Sequence, residues 1–532
     1  MSLKIATINI KDVYILFTSR ILLATSFLSV TVFTLYSYRY RFHSDAATAG
    51  MIALEQWRTG QLFVPGWYYS QDFWPMFVLN STTVFFPLVH NAFLATQIGI
   101  FFQIVVIFTL TRKILISLGS TTHANLVLAF LLSGVSSLWS EFFYGQGQYG
   151  NVLMFILLET FFIIYLLKSD EKTTGKKLTV LALLFLSNVY INSTSVRYLP
   201  LFLAPALLAL SFNFFQNKGS RRGVTYIVFI LLISAALGQL GLSWLKHSYL
   251  FLSGVDGTTI VSYHDAIADN LPRMLDGYLS LITDGAAGVK FASFKGGLFL
   301  FRLVFSFIFF SAPIYFLTSK YASKFKEFEI SKQYLVIYFC GLLFISLFSV
   351  IFLSSTVNFI AAARYIMVAV YFGVFVTVIF FDSLRVGNIN KYLLVLITPV
   401  ILFNIQALNQ GLAKGVGERD QLVNFLIENN LDRGFATYWN ADVLTVLSSY
   451  KVMVSHIEGS HAVPSLFMST TQFYKSVGAK ENFLLLDSSE IASFDFNYLN
   501  KYLGSPDRIL KFNNYQIFVY KKEFASYLPE WF

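Results

Sequence analysis

The chain has 532 residues, of which 56% are hydrophobic and only 13% charged. A water-soluble protein of this length could not hide so much apolar surface, so lipid must solvate much of it. The formal net charge is +10, but the Lys and Arg stand between apolar segments. That placement suits anionic lipid headgroups and not nucleic acid.

Apolar segments of bilayer-spanning length recur along the chain. They are read at 13–37, 91–111, 122–140, 150–167, 177–191, 198–215, 223–245, 297–318, 333–354, 364–382 and 391–408, about eleven helices. The first is too long for a cleavable leader and lacks a small-residue exit, so it reads as a retained helix. Basic residues collect in alternate loops: Lys4 and Lys11, Arg112 and Lys113, Lys168 to Lys177, Lys218 to Arg222, Lys320 to Lys332, then Arg385 and Lys391. By the positive-inside rule those loops, with the N-terminus, are cytoplasmic. The loops 42–90 and 246–296 and the C-terminal tail are then extracytoplasmic.

The 42–90 loop opens with FHSDAATAGMIALEQWRTGQLFVPGWYYSQDFWP. Ala46, Ala49, Ile52, Ala53 and Trp57 fall near helical spacing, with Ser44 or Asp45 placed to cap. An amphipathic helix of this kind lies along the membrane plane. Gly60, Pro65 and Gly66 end it, and an aromatic loop holding Tyr69, Gln71 and Asp72 follows. His90, beyond Pro87, reads as a structural hydrogen-bonder or a site residue. The segment SEFFYGQGQYG, with Glu141 and Gln146, has the composition of a flexible, hydrogen-bonding rim. Because it precedes an apolar helix and not a βα unit, its glycines are not a dinucleotide loop. Arg197 and Arg364, each followed by Tyr, start two later helices at the same face. The 246–296 loop holds His264, Asp265 and Asp269 without metal-ligand spacing, and DAIADNLPRMLDGYLSLI reads as one interfacial helix interrupted near Pro272. The lone Cys340 lies in an apolar run, so no intrachain disulfide forms.

After about residue 410 charges return. GFATYW, KVMVSHI, NFLLLD and NYQIFVYKK read as strands, and RDQLVNFLIEN and NADVLTVLSS as helices, the latter capped at Asn440. Alternating strands and helices imply a small α/β domain of about 120 residues. The expected layout is a transmembrane module over 1–409 and an extracytoplasmic α/β domain over 410–532.

Ionisable residues at a membrane edge are functional candidates by default. HSDAATAGMIALEQWRTGQLF followed by PGWYYSQDFW resembles the first outer loop of the GT-C superfamily, integral-membrane glycosyltransferases that use polyprenyl-phosphate-linked sugars. The resemblance implies an α-helical polytopic, GT-C-like fold with a small C-terminal α/β extracytoplasmic domain. It also implies that Asp45, just past the first helix, is the catalytic base. That family often has an acidic pair there. Here Ala46 follows, which leaves the second carboxylate to Glu141 or Asp72. Arg364–Tyr365 is similar to a pair in relatives whose Arg faces the lipid phosphate, and Arg197 is expected to assist it. Asp72, Glu141, Gln71, Tyr69, Gln146 and His90 are the expected sugar and acceptor contacts. The layout is also similar to enzymes that glucosylate O-antigen.

The expected partners are therefore a polyprenyl-phosphate sugar donor, a glycan or lipid-linked glycan acceptor and membrane lipid, in a bacterial inner membrane. No cofactor is implied, although the carboxylates flanking the site leave room for a divalent metal. The rivals are a polysaccharide polymerase or ligase using a lipid diphosphate, and a non-enzymatic transporter or flippase. The first wants more outer Arg than the loops carry. The second usually shows inverted repeats and broken helices near the midplane. A third reading is a glycan receptor, anchored by the helices, whose C-terminal domain binds the glycan.

Overall fold

The computed structural model describes residues 10–70, 72–73, 81–168, 174–216, 221–251, 260–283, 290, 292–318, 322–352, 359–384, 389–414, 416–475, 478–479, 481–529 and 531. Helix α1 (Ile10–Leu35) passes through one 3-10 turn, Ser37–Tyr40, into α2 (Ser44–Thr59). Then come α3 (Ser81–Val89), α4 (Ala92–Ser117), α5 (Thr121–Leu132) and α6 (Ser137–Ser140), the last continuing as a π-helical turn, Glu141–Gly145. The bundle continues with α7 (Gln148–Lys168), α8 (Thr174–Asn192), a π-helical turn Leu199–Leu203 leading into α9 (Ala204–Gln216), and α10 (Arg221–Ser248). It closes with α11 (Leu271–Ile282), α12 (Phe294–Leu317), α13 (Ile330–Phe352), α14 (Phe359–Leu384) and α15 (Ile389–Leu408).

The apolar runs named above fall on helices, except that 122–140 is split by a bend at 133–136, and not all eleven are of bilayer-crossing length. Among the described residues eight helices are long and apolar enough to cross a bilayer, and a bent pair raises the number to nine. The chain is a multi-pass membrane protein. The bent pair is α5 with α6 and its π-helical turn, which meet at 94°. Gly134 sits in the bend at φ +82°, a backbone that a Cβ disfavours by roughly 1–2 kcal/mol. One carboxyl inside the bundle is well partnered: Glu159 on α7 is buried and accepts hydrogen bonds from Ser187 and from Asn188 (3.0 Å) on α8. In a medium without water such a group must find its partners within the protein.

The C-terminal region holds α16 (Glu418–Glu428), β1 (Arg433–Ala436), α17 (Tyr438–Leu447), β2 (Met453–Glu458), β3 (Val463–Pro464) and β4 (Asn482–Asp487). It ends in α18 (Phe496–Leu503), β5 (Arg508–Phe512) and β6 (Tyr515–Tyr520). One six-stranded sheet has the order β3-β2-β1-β4-β6-β5, with β1 parallel to both β2 and β4. The central strands β1 and β4 are buried along nearly their whole length and are correspondingly apolar, whereas edge strand β5 is only partly covered. All four strands read from the sequence are present. The short β3 and the charged edge β5 are additional.

Four local expectations change. The strand read through GFATYW stops at Ala436, and Tyr438 already begins α17 behind Thr437, so Asn440 lies buried inside the helix instead of capping it. The segment around Glu141 is not a flexible rim: Phe142, Phe143, Tyr144 and Gly145 are buried in the bend. The stretch before Ile282 is not broken at Pro272. A π-helical turn, Ala266–Asn270, runs into α11, with the proline in its first turn, where a missing N–H does no harm. Finally, α2 does not lie half-exposed on a surface. Its small residues let it be buried almost all round, with Ala46, Ala47, Thr48, Ala49, Met51 and Ile52 each at most 2% exposed. A Cβ on Gly50 would meet the Val446 methyls at 3.2 Å, so α17 lies directly on α2.

Candidate active site

The site forms where α2 begins. Phe42, fully buried, stacks edge-on against Phe93 and Tyr38 and fixes the turn out of α1. The C-terminal region grips the same turn. Arg39 pairs with Asp420 (2.5 Å), Arg419 donates to the Phe42 carbonyl, and Ser44 Oγ donates to the Tyr438 carbonyl. Neither Ser44 nor Asp45 caps α2, since its N-cap is His43 with no side-chain cap bond.

The Asp45 carboxylate is held from two sides by two distant parts of the chain. Arg364 Nη2, in the second turn of α14, stands 3.2 Å from Oδ2. The Tyr438 hydroxyl, at the start of α17, donates to Oδ1 at 2.7 Å. Burial, with Asp45 and Asp442 close by, holds the Tyr438 phenol above its ordinary pKa, so it remains a donor. The Asp45 carbonyl accepts from Gln148 Nε2 at 3.3 Å.

Arg364 has more to offer than this one contact. Its guanidinium lies over the rings of Tyr149 (5.5 Å) and Phe142 (5.8 Å), a stacking that favours a cation. Its Nε is buried with no hydrogen-bond partner among the described residues. A buried, unpaired guanidinium N–H is costly unless an acceptor arrives.

A second carboxylate–arginine pair stands beside the first. Asp72 Oδ2 is 3.1 Å from Arg197 Nη2. The loop that carries Asp72 is pinned by Phe73 N–H to the Thr194 carbonyl (2.9 Å) and by Tyr69 N–H to the Leu250 carbonyl (2.9 Å). Arg197 also lies near the Tyr149 side chain, and Asp72 holds the guanidinium above its ordinary pKa. Tyr149 is thus a neighbour of both arginines.

Glu141 faces another set of groups. The Tyr38 hydroxyl donates to Oε1, and His43 Nε2 is 2.8 Å from the same oxygen. Gln146 Nε2 is 3.1 Å from His43 Nε2. A Cβ on Gly145 would come within 2.3 Å of the Tyr38 ring, so only glycine lets that phenol reach Glu141.

The structure thus gathers Asp45, Arg364, Arg197 and Asp72 around Tyr149, and Glu141 with Gln146 around His43. It does not bring Tyr69 or His90 to them as ligand-facing groups. Tyr69 is fully buried, packed on Phe73, Tyr249 and Phe251, and its hydroxyl accepts from the Val64 N–H at 3.1 Å. His90 is exposed at the end of α3 with φ +49°. Gln71 lies outside the described residues. Tyr438, His43, Tyr149 and Tyr38 escaped the sequence reading. His43 and Tyr149 lie within segments already singled out, but nothing local marks Tyr438. Among the described residues no three His, Cys, Asp or Glu side chains converge as metal ligands. Asp45 shares its oxygens with Arg and Tyr, and Glu141 with Tyr and His.

No family model matches the sequence, and no curated protein matches it. Solved structures do. ArnT from Cupriavidus metallidurans bound to undecaprenyl phosphate aligns over 95% of this chain and 98% of its own, with TM-score 0.53 at 10% identity. The Archaeoglobus fulgidus oligosaccharyltransferase in the apo form aligns over 90% of this chain and 70% of its own, with TM-score 0.49 at 12% identity, too weak a likeness to carry an argument. The first likeness defines the class of protein: an α-helical polytopic membrane protein of GT-C-like fold with a small C-terminal α/β region. At 10% identity it speaks for the fold alone.

Proposed function

We propose that this chain is an inverting glycosyltransferase. It moves a sugar, glucose in the narrowest reading, from a polyprenyl-phosphate carrier to a cell-surface glycan such as the O-antigen of lipopolysaccharide. The transfer takes place on the periplasmic face of a bacterial inner membrane, with the N-terminus cytoplasmic. The observation that carries this reading is the Asp45–Arg364 contact at 3.2 Å, made by an arginine whose Nε is buried and unpartnered. A base for the incoming hydroxyl and a cation with an unused donor for the departing phosphate are what displacement of a phosphate by a hydroxyl requires. The carrier is suggested by the solved structure of like fold, which holds undecaprenyl phosphate.

In the proposed step Asp45 takes the proton of the acceptor hydroxyl as its oxygen attacks the anomeric carbon. The bond from that carbon to the phosphate oxygen breaks on the opposite side, and its electron pair leaves with the phosphate. The charge that develops there faces Arg364 and Arg197. Tyr438 and Arg364 hold the Asp45 carboxylate in line, which lowers the barrier by prepaid orientation. Asp72 orients Arg197, and Glu141 and Gln146 line the sugar side.

The test is turnover by the intact protein in lipid nanodiscs given undecaprenyl-phosphate glucose and a panel of other undecaprenyl-phosphate sugars, with O-antigen oligosaccharide as acceptor. Sugar transferred with inverted anomeric configuration is the expected result. Activity only with diphosphate-linked donors would replace this reading with the polymerase or ligase one.

A further inference from the structure

The two flanks of Asp45 differ in charge, and only one of them suits an anion. Arg364 stands on the first, and Tyr149 neighbours both it and Arg197. The second carries Glu141, bonded to Tyr38 and His43, with Gln146 behind. A phosphate placed there would meet a carboxylate.

Beside the second flank the C-terminal region leaves a large ring uncovered, and a second stands on the same Tyr438. Trp439 is 56% exposed and its ring centroid lies 6.3 Å from that of His43. Phe467 is 42% exposed. Both pack against Tyr438, at 5.3 Å each and nearly perpendicular to it, and Tyr438 holds Asp45. The rings have a firm seat: Tyr438 rests edge-on on His456 at 5.2 Å, and His456 Nε2 bonds Asp442, both side chains buried. Two exposed rings flanking the phenol that holds the base are therefore fixed in place and face outward.

On the sugar-transfer reading above, we propose that Trp439 and Phe467 form the acceptor subsite, and that it takes a neutral pyranose of the acceptor glycan. A pyranose presents an apolar C–H face and a polar hydroxyl edge. The face lies on an aromatic ring while the edge meets hydrogen-bonding groups. Here the edge would turn toward Asp45, with Glu141 and Gln146 as further acceptor and donor. A neutral ring avoids the repulsion that a phosphorylated acceptor would meet at Glu141.

Binding can be measured without any donor, so this subsite and the transferase reading can fail separately. The intact protein in nanodiscs is titrated with neutral hexose and 6-deoxyhexose oligosaccharides of about three to six residues, and ligand contact is read by saturation-transfer NMR. Wild-type protein is expected to bind at least one. Trp439→Ala and Phe467→Ala should each weaken binding about tenfold, and Trp439→Phe should restore most of it. Trp57→Ala, which removes another exposed ring on α2 (51% exposed), should leave binding unchanged. The subsite is refuted if wild type binds none of the oligosaccharides. It is equally refuted if removing either ring changes nothing, which would leave both rings as headgroup anchors. Trp439→Phe keeps the packing on Tyr438, so a fold defect in the alanine variant would not decide the matter.

Discussion

Asp45 and Glu141 are two carboxylates that, after burial, both raise the pKa of one phenol, Tyr38, yet their surroundings are opposite. Asp45 is met by an arginine with an unused donor and by a tyrosine from the C-terminal region. Glu141 is met by Tyr38 and His43, both close to the start of α2, and among the described residues no arginine pairs with it. The first arrangement can pass a proton while an anion is stabilised alongside. On the proposed reading the second fixes geometry and disfavours an anion. Chemical type did not assign these roles; the partners did.

The sharpest way to break the contrast is Asp45→Asn, which removes the proposed base and keeps the shape. It should lower kcat by about a thousandfold with the protein still folded, measured as transfer from undecaprenyl-phosphate sugar in nanodiscs. Near-normal transfer would remove Asp45 from the chemistry. Arg364→Ala should lower kcat/KM for the donor about a hundredfold and leave the acceptor KM nearly unchanged. Equal loss toward both substrates would argue against a phosphate role. Glu141→Gln keeps an acceptor for Tyr38 and loses only the charge, so a loss of about tenfold or less is expected. A loss as deep as that of Asp45→Asn would make the two acids equals. The smallest effect tests the frame beneath Glu141: Gly145→Ala must displace the Tyr38 ring and should lower stability by about 1–3 kcal/mol, read from thermal unfolding in detergent.

The sequence marked the groups that meet at the candidate site far better than their pairings. Asp45, Arg197 and Arg364 stood out because each marks the end of an apolar run, where a charged side chain is conspicuous. Asp72 stood out as an acid among aromatics. That Asp72 would close on Arg197, and Tyr149 adjoin both arginines, had no local sign. Tyr438 was the plainest omission: TYW read as the end of a strand, since Thr, Tyr and Trp all favour β-structure. Packing on α2 overrode that preference and turned Tyr438 and Trp439 into the first turn of a helix. Tyr69 misled in the other direction. An aromatic beside an acid looks like a sugar platform, but its ring fills the gap against Phe73, Tyr249 and Phe251.

Where the helices run was decided by the sequence alone, because hydropathy is summed over neighbouring residues and needs no distant partner. Which side chains meet at Asp45 was decided only by the tertiary structure. Its two contacts come from residues 319 and 393 positions away. A hydrogen bond is satisfied by whichever donor the closed chain delivers, and that delivery depends on the packing of α14 and of the C-terminal sheet region, not on any pattern around the aspartate.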